Sequence, residues 1–146
     1  MTPEQVKIVK LTFAQVMGQK DQVAQMFYDR LFTIAPETRS LFKGNMEAQG
    51  RKLMDTLALA IGMLRDMPTL VSTLEALAHR HVGYGVRDEH YDKVGEALLW
   101  TLERGLGPAF TPEARAAWTA LYGAVAQIMR KAVAGTASPT PGAAVA

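Results

Sequence analysis

Apolar residues in this chain recur three and four positions apart, segment after segment, and strict alternation bounded by turn residues is nowhere found. Such a pattern specifies helices and leaves no strands to build a sheet. The first segment has Thr2 as N-cap and Pro3 at the first helical position, with Val6, Val9, Phe13 and Val16 as its stripe and Gly18 at its end. A second runs from about Asp21 to Ile34 on Val23, Met26, Phe27, Leu31 and Ile34. It stops at Ala35, because the residue before a proline disfavours the helical region. A short helix over 36–41 and a turn over 42–45 lead into a helix from Met46 to Leu64, with Leu53, Leu57 and Ala60 inward. The remaining helices are one that carries His81 and ends at Gly83 and Gly85, one from Asp88 to Leu106, and one from Thr111 to Val133. Between the last two, Gly105, Gly107 and Pro108 form a corner, and the final stripe is Ala117, Leu121, Ala124, Val125, Ile128 and Ala132, with Trp118 and Tyr122 beside it. The expectation is an all-α domain of about seven helices over residues 1–134. Residues 135–146, small and without periodicity, are expected to form a disordered tail.

With 146 residues the chain is one domain long, and no internal repeat divides it. Its net charge is +2, with lysine and arginine scattered, so a nucleic-acid footprint is absent from the reading. It has no cysteine, which excludes disulfides, thiolate metal sites and thiol catalysis and suits a reducing compartment. No run of apolar residues is long enough for a membrane span, and the first ten residues do not read as a signal peptide. A cytoplasmic protein is expected.

All three histidines lie between Leu74 and Leu99. On a helix, His81 shares a face with Ala78, Leu77 and Leu74, whereas His79 lies about 200° away with Ser72 and Glu75. His81 is therefore expected on the buried face and His79 in water. A histidine ending an apolar face has two readings. One is a core imidazole hydrogen-bonded to a carbonyl; the other is a neutral ring that gives a nitrogen lone pair to a metal.

The run H-x-x-x-G-V-x-x-x-H-Y-x-x-V-G-x-x-L-L, from His81 to Leu99, resembles the corresponding stretch of bacterial globins, both the single-domain Vitreoscilla type and the globin domain of flavohaemoglobins. The resemblance extends over roughly Pro3 to Ala132. It implies a globin fold around haem b, with His81 as the proximal iron ligand. It further implies that Tyr28 and Gln49 stand over the iron as polar distal residues, with Leu53 as the apolar residue above the ligand pocket. Without it, Tyr28 would read as a half-buried aromatic whose hydroxyl finds water, and Gln49 as a solvated helix start. Phe42 matches the phenylalanine that stacks on the porphyrin in this family, or else is a core residue at a corner. The rest of the haem-facing wall is expected from Leu77, Val86, Tyr91, Val94 and Leu98, with Arg51, Lys52 or Arg80 meeting the propionates. Ala24 and Gly50 are the small residues expected where two helices cross closely.

One departure from the family stands out. The resemblance implies a Tyr and a Glu polarising the proximal histidine; Tyr91 supplies the first, but the second position falls on Val133. His81 is then expected to donate its other N–H to a backbone carbonyl. The function implied is reversible binding of dioxygen, with carbon monoxide and nitric oxide as other gaseous ligands. Phenol and amide donors in a dry pocket hold a ligand that gains negative charge on binding. The alternative is a nitric oxide dioxygenase served by a separate cellular reductase, since no G-x-G-x-x-G fingerprint for flavin or nicotinamide is present.

Overall fold

In the computed structural model, which describes residues 1–134, side chains from six α-helices close around two apolar clusters. The expectation for residues 135–146 lies outside the described part. The helices are α1 (Pro3–Met17), α2 (Lys20–Ile34), α3 (Met46–Gly62), α4 (Met67–Tyr84), α5 (Asp88–Leu106) and α6 (Pro112–Ala134). Two 3₁₀ segments, Pro36–Leu41 and Gly107–Ala109, follow α2 and α5. No strand occurs among the described residues.

The helix ends follow local chemistry. Gln5 N–H donates to Thr2 Oγ1 at 3.1 Å and Thr2 N–H to Gln5 Oε1 at 3.0 Å, a reciprocal cap. Asn45 accepts from Ala48 N–H at 3.1 Å to start α3. Asp66 caps α4 by accepting from Thr69 N–H at 3.4 Å and Thr69 Oγ1 at 2.7 Å. Gly105 remains inside α5, so the corner comes two residues later, at Gly107 with its positive φ of 55°.

α1, α2, α3, the second half of α5 and the first half of α6 enclose the larger cluster. The smaller one lies between the end of α3, α4, the start of α5 and the second half of α6. Because α6 packs on α1 along its first half and on α4 along its second, its buried face turns from Ala117, Trp118 and Leu121 to Ala126 and Met129. Two details of the predicted stripe change accordingly. Ala124 is exposed, and Trp118 has no exposed surface, its Nε1–H donating to Thr12 Oγ1 at 2.8 Å. The expected small-residue crossing is present: a Cβ on Gly50 would stand 2.9 Å from that of Ala24, so α2 and α3 meet at backbone range.

Candidate functional site

His81 lies in the last turn of α4, between buried Ala78 and the helix cap. Gly85, at φ 96°, supplies the left-handed residue that ends the helix, and a Val86 N–H donates back to the His81 carbonyl at 3.0 Å. The chain thus reverses within one turn of His81 and brings Val86 beside it. As expected, His79 is exposed and His81 is largely covered. Burial pushes the His81 ring below the usual imidazole range; the Leu77 carbonyl opposes this and Arg80 adds to it. Its Nδ1 is buried with no well-formed hydrogen bond among the described residues. The Leu77 carbonyl one turn back favours the protonated nitrogen, yet falls short of hydrogen-bond geometry.

His81 faces a cavity of about 200 Å³. Phe42, Leu53, Leu77, Val86, Tyr91, Val94 and Leu98, the residues expected to surround a haem, all line it with His81. They come from α3, α4, α5 and the connections between helices, so only the closed fold assembles them. Among the described residues, no aspartate, glutamate, lysine or arginine lines the cavity.

Tyr28 and Gln49 are brought together, but not in that wall. Burial raises the Tyr28 phenol above its usual range, and a hydrogen bond with the Gln49 side chain acts the other way. The Tyr28 ring meets Phe27 edge-on at 5.0 Å and Phe42 at 5.2 Å. Those two phenylalanines line the His81 cavity, whereas Tyr28 lines a separate cleft of about 500 Å³ between α2 and α3. The phenol therefore stands one ring behind the cavity. Arg51 lines the outer cleft, while Lys52 and Arg80 are exposed and outside both.

Other groups at the cavity were not singled out from sequence. His90 is 7% exposed, lines the cavity, and accepts the Arg87 N–H on Nδ1 at 2.9 Å, so its proton sits on Nε2. An acceptor at the third position of a helix is the signal that could have found it. Tyr122 also lines the cavity and donates its O–H to the Tyr91 carbonyl at 2.6 Å. Burial holds the Tyr122 phenol well above its usual range and so keeps that proton in place.

The lining can be tested against an iron porphyrin. Among the described residues no group of three or more histidine, cysteine, aspartate or glutamate side chains could hold a bare ion. One covered, neutral imidazole in an apolar slot suits a metal that arrives with its own equatorial ligands and a flat hydrophobic rim. The residues present fit that group.

Comparison with known proteins agrees with this geometry. The globin family model matches residues 25–129. The chain is 32% identical over 131 residues to a flavohemoprotein of Vibrio cholerae serotype O1, an alignment covering 88% of this chain and 33% of that protein. It is 34% identical over 133 residues to a flavohemoprotein of Bordetella pertussis, with 88% of this chain and 33% of the other covered. The chain thus spans about a third of the length of the relatives it matches.

Proposed function

The chain belongs to the globin family, and on that premise we propose that it is a haem protein that binds dioxygen reversibly. The observation that carries this reading is the convergence on one apolar cavity of His81 and the seven residues expected around it. The haem, when bound, supplies an iron centre for diatomic gases. Haem b is the form that suits a chain without cysteine for thioether attachment.

Each residue then has a physical task. Burial keeps the His81 ring neutral, with a lone pair for the metal at physiological pH. Phe42 and Leu53 exclude water from the ligand side, which strengthens any hydrogen bond made there. Tyr28 is the proposed donor to the bound gas, polarised by the Gln49 amide behind it. Since phenol and cavity are separated by Phe27 and Phe42, that donation requires these rings to yield when the site fills. The iron-facing roles of the cavity residues, and a cytoplasmic setting with a separate reductase, belong to the same proposal. Among the described residues no helix is long and apolar enough to cross a membrane.

The experiment is haem titration of the purified protein. A Soret band is expected in the wild type, absent or displaced in His81→Ala and restored there by imidazole. A protein that stays colourless with haem supplied would end the reading. Turnover of nitric oxide with a cellular reductant decides between carrier and dioxygenase: rapid enzymatic re-reduction of the ferric form selects the dioxygenase, and slow non-specific reduction the carrier.

A further inference from the structure

Arg130, two turns beyond Tyr122 on α6, reaches across to the first turns of α5. Its Nη2 donates to Asp92 Oδ1 at 3.0 Å and to the Asp88 carbonyl at 3.1 Å. Its Nε stands 3.0 Å from Asp88 Oδ1, a charge contact whose angle is not that of a hydrogen bond. Asp88 and Asp92 are 81% and 76% exposed in their side chains, and ion pairs to such carboxylates add little stability by themselves. What they do is remove the guanidinium's freedom. Held from three directions, it lies 5.3 Å over the ring of Tyr91, which is 8% exposed and forms part of the His81 cavity wall.

We propose that Arg130 is a positioning residue for this cavity: anchored by Asp88 and Asp92, its guanidinium fixes the Tyr91 ring in the wall beside His81. α6 then grips Tyr91 at two points. Tyr122 O–H takes the backbone carbonyl and Arg130 covers the ring face. The two contacts differ in kind, since the first sets where α5 starts and the second sets the plane of the ring. Arginine suits the task better than lysine because a planar fork can hold two carboxylates and still present a flat face to an aromatic ring.

For the iron, the consequence rests on the haem reading above: a ring that wanders perturbs the imidazole and loosens the cofactor. The test compares Arg130→Met, Arg130→Lys and Asp92→Asn in the haem-loaded protein. Arg130→Met is expected to shift or broaden the ferrous iron–histidine stretching band and to speed haem loss to an acceptor globin by about threefold, the order of one partly exposed cation–π contact. Arg130→Lys restores part of both. Asp92→Asn, which loosens the anchor but leaves the guanidinium in place, shifts both in the same direction as Arg130→Met and by less. A wild-type band and loss rate in Arg130→Met overturn the proposal, as do wild-type values of both in Asp92→Asn, which would show that the carboxylates anchor nothing. Should the wild type take up no haem, the functional reading fails separately. The ring-flip rate of Tyr91 by NMR then decides the clamp: faster in Arg130→Met supports it, unchanged refutes it.

Discussion

Gly95 lies inside α5, where replacing glycine by alanine ordinarily stabilises a helix by about 0.5–1 kcal/mol. Here the opposite is expected. An added Cβ would stand 2.8 Å from Cε2 and 3.0 Å from Cδ2 of Tyr122, closer than carbon atoms pack. Tyr122 has little room to retreat, because its ring packs against both apolar clusters and its O–H is tied to the Tyr91 carbonyl at 2.6 Å. Forcing a methyl into a filled contact costs about 1–3 kcal/mol. Breaking the half-buried Tyr122 bond adds about 1 kcal/mol. After the propensity gain is subtracted, Gly95→Ala should destabilise by roughly 1–3 kcal/mol, a fall in melting temperature of about 3–10 °C for a chain of this size. Gly123 is the internal control: it is exposed in the middle of α6, with nothing within 4 Å of a built Cβ. Gly123→Ala should raise stability by about 0.5–1 kcal/mol. Thermal unfolding followed by far-ultraviolet circular dichroism reads both. In a Tyr122→Leu background the cost of Gly95→Ala should largely vanish, because the atoms it strikes are gone. Gly95→Ala at or above wild-type stability, or an undiminished cost beside Leu at position 122, would refute the reasoning.

If Gln49 acts on a bound gas by polarising Tyr28, oxygen dissociation should quicken by roughly tenfold or more in Tyr28→Phe and in Gln49→Leu, each removing a hydrogen bond on the order of 1–3 kcal/mol. Stopped-flow rates on the double variant should then fall well short of the product of the two effects; a full product means independent contacts. Thr12→Val keeps the volume at position 12 but leaves the Trp118 Nε1–H, now bonded at 2.8 Å, buried without an acceptor. It should cost about 1–3 kcal/mol in urea unfolding, and a loss under about 0.5 kcal/mol would mean that another acceptor is reached. His81, lowered by burial, is protonated more readily in the unfolded chain, so its contribution is present above the ordinary imidazole pKa of about 6.5 and is lost as pH falls below it. Haem-free protein should therefore weaken on acidification through that range, and His81→Gln should show a shallower slope between pH 7 and 5.

Most of the helices and the cavity wall were legible because they depend on short-range chemistry or on one long motif. Thr2, Pro3 and Gly85 act within their own turn, and three- and four-residue spacing puts His81 and His79 on opposite faces whatever surrounds them. Periodicity assigns a face, however, and not a depth. Tyr28 shares its helix face with residues of the cavity wall, yet the edge-on packing of Phe27 and Phe42 sets it one ring back, a layering decided where α2 crosses the 3₁₀ segment and α3. Periodicity places Trp118 beside a stripe and not in the core for a similar reason: its indole N–H needs an acceptor, and the one it finds is Thr12, 106 positions earlier in the chain. Arg130 reads as an ordinary surface charge until α6 is laid against α5, when Asp88 and Asp92, 42 and 38 positions away, turn it over Tyr91. The apolar wall of the site is thus written locally, residue by residue. The polar contacts that fix its tyrosines are pairings between distant segments, and these depend on helix crossings that no single segment encodes.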